Sequence, residues 1–236
     1  HRDLHRLIRR QRQMCIRDRI DSINNAKKSI DLKVYILTTA QKDVFNALKS
    51  ACKRGVKVRL LVEDDPFYWQ KPQTNPSKKA VEELVAAGAK YKPDNPKFSK
   101  NRVTHEKSMI IDGKKGIILT GNIARSSFTR NLDLGAIIVR NPEVVDQMKI
   151  LFNADWQRKA LPEMKDTGLV ISPVNARKKI TDLIKNADKT IHILQQSLSD
   201  KKILKALGDK VKEGVDTQLI LGDPVINQRN IAAAAY

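Results

Sequence analysis

Hydrophobic and polar positions along the chain switch repeatedly between a strand period and a helix period. Residues 30–36 (IDLKVYI) and 56–62 (VKVRLLV) are short runs rich in β-branched side chains, and both read as strands. Between them, residues 41–54 set Val44, Leu48 and Ala51 on one helical face, with Gly55 as the stop. A helix end is read over 20–28. Residues 77–87 show the helical period again, up to Gly88, and a polar, proline-containing stretch follows. Further strands are predicted at 103–111, 116–119 and 134–139. Pro142 opens a helix that runs to about Trp156. Strands alternating with helices predict an α/β fold with a mixed, largely parallel sheet covered on both faces.

The polar stretch 157–167 (QRKALPEMKDT) contains the best linker, at 159–167. Beyond it the pattern starts again. DVFNALKSACKRGVKVRLLV at 43–62 aligns without a gap to KILKALGDKVKEGVDTQLIL at 202–221. Ala47, Leu48, Lys53, Gly55, Val56 and Leu60 match Ala206, Leu207, Lys212, Gly214, Val215 and Leu219. NNAKKSI upstream matches KNADKTI, and EDDP downstream matches GDP. A repeat this long is no solenoid unit; it predicts two copies of one α/β domain, at 20–158 and 168–236. The second copy is expected to be incomplete. The counterpart of the chemistry-bearing strand at 103–111 would fall past Tyr236.

Charge changes the picture at the N-terminus first. Residues 1–19 hold seven Arg and no Lys, whereas 29 Lys and nine Arg follow from residue 20. That segment reads as a translated cloning adaptor, so 1–19 is expected to be non-native and any native leader or anchor to lie outside the sequence. Of the net charge of +19, seven Arg less Asp3 and Asp18 account for +5, leaving +14 for the remainder. That excess predicts an anionic partner: phospholipid headgroups, nucleic acid or another phosphodiester. No apolar run approaches the ~20 residues of a membrane span. Of the two cysteines, Cys15 lies in the N-terminal segment, and Cys52 alone forms no internal disulfide. No CxxC pair is present, so a Cys-based zinc site is not expected. Compartment is left open.

The chemistry concentrates in THEKSMIIDGKKGIILTGN at 104–122. On a strand, His105 and Lys107 share a face, with Met109 and Ile111 behind them. An imidazole beside an ammonium suits a phosphodiester: the ammonium neutralises a non-bridging oxygen, and the imidazole attacks phosphorus or moves a proton. Asp112 precedes Gly113 at the strand end, consistent with a pinned turn. Thr120, Gly121 and Asn122 follow the next strand, where a hydroxyl and an amide are able to bind phosphate oxygens. Lys97, Lys100 and Arg102 precede His105 and are candidates for a positive mouth. Phe67, Tyr68 and Trp69 follow the second strand and are candidates for contact with an acyl chain or a base. His192, in IHILQQ with no Lys two residues on, reads as an ordinary strand residue.

His105, Lys107, Asp112, Thr120 and Asn122 together resemble the HxKxxxxD motif of the phospholipase D superfamily. The resemblance extends through SSFTRNLDLGAII at 126–138 and LVISPVNARKKI at 169–180, and is strongest toward bacterial phospholipase D-like and cardiolipin synthase-like proteins. It implies two copies of an α-β-α sandwich and a two-step mechanism. His105 becomes the nucleophile of a covalent phosphohistidine; Lys107 and Asn122 hold the phosphoryl oxygens. Thr120 stands where the family usually has Ser, and Leu119 where it usually has Gly. Asp112 is implied to be a structural member of the motif, and Asp133 the carboxylate that orients the imidazole. A histidine from the second copy is implied as the acid for the leaving group, and no metal or other cofactor is implied. The expected function is therefore a phosphodiesterase acting on anionic phospholipid by hydrolysis or phosphatidyl transfer, at or near a membrane surface. A nuclease of the same superfamily is the alternative enzyme, with nucleic acid the less favoured partner because aromatics are few. A non-catalytic phosphate-binding module is the other reading. With one motif, the chain is expected to be weakly active or inactive as a monomer; full activity would require the second motif from a further C-terminal segment, or a homodimer bringing two His105 side chains together.

Overall fold

A computed structural model describes residues 17–66, 75–94, 104–129, 133–164, 166, 168–223, 228–230 and 233. Lys97, Lys100, Arg102, the aromatics at 67–69 and residues 1–16 lie outside the described residues. Residues 17–19, by contrast, form the first turn of a helix, α1 (residues 17–24), and the Arg19 guanidinium lies 5.1 Å from the Phe128 ring centroid. The chain divides into two compact units between residues 167 and 168.

Unit 1 is built on a six-stranded sheet in the order β3-β2-β1-β4-β5-β6. Its strands are β1 (Ser29–Val34), β2 (Lys57–Glu63), β3 (Lys90–Asp94), β4 (Lys107–Ile111), β5 (Lys115–Leu119) and β6 (Gly135–Ile138). β1 pairs with β2, and β2 with β3, in parallel; β1–β4, β4–β5 and β5–β6 are antiparallel. Four of the six strands, β1, β2, β3 and β5, therefore run the same way. The helices are α2 (Lys42–Lys53), α3 (Lys78–Ala86), the short α4 (Arg125–Thr129) and α5 (Pro142–Gln157).

Alternation along β1 assigns the two faces. Ile30, Leu32 and Val34 point into a core shared with Val44, Leu48 and Ala51 of α2, Leu84 of α3, and Met109 and Ile117 of the central strands. Burying each large aliphatic side chain there stabilises the unit by about 1.5–3 kcal/mol before conformational entropy is counted. Asp31 and Lys33 point the other way yet are only 7% and 5% exposed, because that face is polar but covered. Arg59 of β2 makes a two-pronged bond to Asp31 at 2.6 and 2.8 Å and lies 4.8 Å from the Phe152 ring of α5. α5 starts where expected: Asn141 caps it by accepting from Val144 N at 3.1 Å, with Pro142 in the first turn.

Two elements differ from the sequence pattern. β3 contains Pro93 in a polar run, which disguises it; it survives as the sheet's outer strand, where a missing N–H costs no central ladder bond. β4 begins at Lys107, so His105 precedes the strand.

Unit 2 contains α6 (Ala176–Lys185), β7 (Thr190–Gln195), α7 (Lys201–Lys212) and β8 (Asp216–Leu221). β7 and β8 are parallel. Leu204 and Leu207 of α7 pack with Ile184 and Ile191 in a separate small core. Among the described residues no helix is long and apolar enough to cross a membrane.

Candidate active site

The chemistry-bearing residues gather where β1 and β5 end and β4 and β6 begin. Loops at the C-terminal ends of parallel strands are the usual place for a site in an open α/β sheet. Lys107 lies opposite Val34 at the last rung of the β1–β4 ladder, 4% exposed. Its Nζ donates to the His105 carbonyl at 2.5 Å and lies 5.3 Å from the Tyr35 ring centroid. The largely exposed His105 imidazole meets the same ring edge-on, centroid to centroid 4.7 Å at 61°. Tyr35, buried immediately after β1, thus seats both groups of the pair. The sequence signal for it was its place at the end of IDLKVYI, which did not by itself reveal the contact.

Electrostatics follow from this packing. Burial pulls the Lys107 pKa down to about 8, against the opposing pull of Asp133 and then Glu106. His105 is lowered too, by desolvation first and by the Lys107 charge second, so its imidazole is neutral at pH 7 with a free lone pair.

On the opposite side of the cleft, Ile123 bridges to Leu37 and bonds both ways with the end of β1, through Ile123 N to Ile36 O and Thr38 N to Ile123 O. That tie fixes Asn122, whose Oδ1 is buried with no hydrogen-bond partner among the described residues. Asp133 is held differently from expectation. Its Oδ1 accepts from Thr120 Oγ1 at 3.0 Å, and its Oδ2 is buried without a partner; it does not engage the imidazole. Thr120 is fully committed to this clamp, since its hydroxyl also accepts from Leu134 N at 2.8 Å. It positions Asp133 and is not free to bind phosphate. Gly121 is required by the same contact: a Cβ there would sit 2.4 Å from Asp133 Oδ2. Asn122 Oδ1 and Asp133 Oδ2 are thus two buried acceptors left for a donor-bearing partner.

Asp112 stands apart. It caps the far end of β4, about 16 Å from Lys107 at strand rise. Its carboxylate accepts from the backbone N–H groups of Lys27, Lys28 and Ser29 at 3.0, 2.7 and 2.9 Å. It fastens the β4 turn to the start of β1, and its place in the motif is structural. His192 is exposed on β7 of unit 2. Among the described residues no cluster of His, Cys, Asp and Glu is arranged to hold a metal ion.

An imidazole and an ammonium thus lie together at the C-terminal end of β1 in a mixed α/β sheet. Residues 20–156 match the family described as cardiolipin synthase, PLD-like domain, and the chain belongs to that phospholipase D-like family. It is 32% identical over 124 residues to a cardiolipin synthase of Clostridium perfringens, covering 49% of this chain and 25% of that protein. It is 23% identical over 185 residues to phospholipase D Z of Dictyostelium discoideum, covering 72% of this chain and 42% of that protein. The chain therefore spans less than half the length of these curated relatives. Among solved structures, a phosphatidylserine synthase of Haemophilus influenzae superposes with a TM-score of 0.67 at 12% identity, covering 90% of this chain and 60% of that one. At that identity the likeness concerns the fold alone.

Proposed function

We propose that the chain is a phospholipase D-type phosphodiesterase acting on phospholipid through a covalent phosphohistidine at His105. The observation that carries this reading is the seating of the His105 imidazole and the Lys107 ammonium on one Tyr35 ring. In the first step the imidazole lone pair attacks phosphorus, a P–N bond forms and the P–O bond to the leaving alcohol breaks. The Lys107 ammonium neutralises the charge building on a non-bridging oxygen, and the Asn122 amide donates to a second one. The leaving oxygen takes its proton from a general acid. In the second step water or an alcohol attacks phosphorus and releases His105, giving hydrolysis or phosphatidyl transfer respectively.

We assign the acid to a second histidine of the same kind, held in a second half or a second copy. Support for two related halves comes from the strands themselves. β1 and β2 pair Ser29 with Lys57, and β7 and β8 pair Thr190 with Asp216, the very residues the sequence repeat equates. Lipid is preferred over nucleic acid because the matching family and relatives carry cardiolipin synthase and phospholipase D names. The basic charge fits either polyanion.

Assays on anionic phospholipid vesicles, single-stranded DNA and bis(4-nitrophenyl) phosphate separate the readings. Lipid turnover is expected, with an acid-labile, base-stable phosphoenzyme, and His105→Ala is expected to remove both. Normal turnover by His105→Ala would overturn the nucleophile assignment, and turnover confined to DNA would overturn the lipid assignment.

A further inference from the structure

His105 is not held by the sheet. The ladder of β4 starts at Lys107, and residues 104–106 have no regular structure. What holds them is a pair of buried charges on the neighbouring strands. Before His105, the Thr104 N–H donates to Glu63 Oε2 at 2.9 Å. Glu63 ends β2, is 0% exposed, and its other oxygen accepts from Asp65 N at 3.2 Å. After His105, the Glu106 carboxylate turns to the same polar face of the sheet, where its Oε2 lies 3.3 Å from Lys33 Nζ. Its Oε1 accepts from Ser108 Oγ at 2.6 Å.

Lys33 is the hub of that face. It sits mid-sheet on β1 and also pairs with Asp94 of β3, at 3.5 Å, and with Asp155 of α5. Burial alone would lower its pKa; Glu106, Asp94 and Asp155 outweigh that and raise it, so it stays charged. A buried cation shared by three carboxylates, from β3, α5 and the 104–106 segment, is a rigid reference point, because moving any partner leaves charge uncompensated in a poorly solvated place. The residue before the imidazole and the residue after it are therefore each tied to a buried charged group on the polar face of the sheet.

We propose that Lys33 and Glu63 are positioning residues for the nucleophile: acting through Glu106 and through the Thr104 amide, they fix the short segment that carries His105, and neither touches substrate. The proposal rests on the reading of His105 as the nucleophile. Its consequence is kinetic, since displacing a nucleophile by about 1 Å from its line of attack lowers the chemical step as much as 100-fold.

The test centres on Glu106, whose side chain is 40% exposed and is removable without opening a cavity in the core. Glu106→Ala and Glu63→Gln are compared with wild type on bis(4-nitrophenyl) phosphate. A ten- to hundredfold loss in kcat with KM within twofold is expected for Glu106→Ala, and a smaller kcat loss for Glu63→Gln, which keeps one acceptor. In parallel, imidazole 1H–15N spectra follow His105, identified by the signals that vanish in His105→Ala. Those signals are expected to shift and broaden in Glu106→Ala while those of His192 stay in place. If Glu106→Ala does not fold, Glu106→Gln takes its place with the same expectations. Wild-type kcat together with unmoved His105 signals overturns the proposal. If the wild-type chain by itself does not turn over the diester, as one motif allows, the spectra alone decide: unmoved His105 signals in Glu106→Ala overturn the anchoring, whatever becomes of the proposed function.

Discussion

Replacing Asp112 with alanine separates scaffold from chemistry within a single motif. The carboxylate takes hydrogen bonds from three consecutive backbone N–H groups, those of Lys27, Lys28 and Ser29. A hydrogen bond to a charged group contributes about 1.5–3 kcal/mol, and the partial solvation of Asp112 places each near or below the lower end. Alanine would also have to adopt Asp112's left-handed backbone, φ 53°, at a cost of about 1 kcal/mol. Together these amount to a destabilisation of roughly 3–4 kcal/mol, or a melting point lower by about 8–12 °C. Tryptophan fluorescence reads unit 1 directly, because Trp69 and Trp156 both fall within residues 1–167. The pH dependence has a definite sign. Burial pushes the Asp112 carboxyl up, but the backbone N–H groups of Ser29, Lys27 and Lys28 hold it below its usual value. Its stabilisation is therefore complete above about pH 4 and lost as pH falls through the lower folded value. The gap between wild type and Asp112→Ala should be full at pH 7 and narrow toward pH 3. At 20 °C, where both are folded, kcat and KM should agree within about twofold, since about 16 Å of strand separates Asp112 from Lys107. A melting point within about 2 °C of wild type, or lost turnover in a folded variant, would refute the assignment.

Gly121→Ala should cost about 1–3 kcal/mol and most of the activity, because the new Cβ and the Asp133 carboxylate cannot share that space; a crystal structure with Asp133 unmoved would contradict this. Thr120→Ser should retain turnover and Thr120→Val should lose it, since only the hydroxyl clamps Asp133 and Leu134; equal activity in the two variants would dissociate the clamp from function. Tungstate, whose charge is constant over the range, should bind about tenfold more weakly at pH 9 than at pH 7 by calorimetry, as Lys107 loses its proton near pH 8 and His105 stays neutral throughout. Constant affinity across that interval would mean that Lys107 does not hold the anion.

Much of the fold was legible because its strands are buried on both faces and its helices on one. The runs at 30–36 and 56–62 and the stripe Val44, Leu48, Ala51 leave little choice of period. β3 was not legible, since KYKPD has neither the hydrophobicity nor the proline-free backbone of an inner strand. In the site, spacing within one segment was readable and contact between segments was not. His105 and Lys107 lie two residues apart and announce themselves. Tyr35 and Lys33 come from a strand some seventy residues earlier, and the alternation of charges at Asp31 and Lys33 looks like a solvated face. Only the three-dimensional arrangement shows that α5 covers that face and that the charges neutralise one another there. Thr120 misled for the opposite reason: a hydroxyl near a phosphate motif suggests a ligand, and its actual partners, Asp133 and Leu134, lie thirteen and fourteen residues on.

Unit 2 offers a control on the role of the buried charges. Its β7 and β8 pair in the register of β1 and β2, and the repeat that equates Ser29 with Thr190 and Lys57 with Asp216 also equates Lys33 with Leu194 and Glu63 with Gly222. Arg59 likewise corresponds to Gln218, and Asp31 to His192. The same strand–helix–strand packing, with Leu204 and Leu207 standing for apolar positions of α2, thus forms without the lysine hub and without the buried glutamate. Those charges are not a requirement of the β-α-β unit. Retaining ionised groups in a covered sheet face is costly for stability, and apolar replacements are often neutral or favourable. Unit 1 keeps them on β1 and β2, where they reach the residues on either side of His105, and unit 2, whose described residues include no His-x-Lys pair, does not. That contrast is expected of residues that serve the geometry of one imidazole, and it would disappear if introducing Lys at 194 and Glu at 222 stabilised unit 2 as strongly as Lys33 and Glu63 stabilise unit 1.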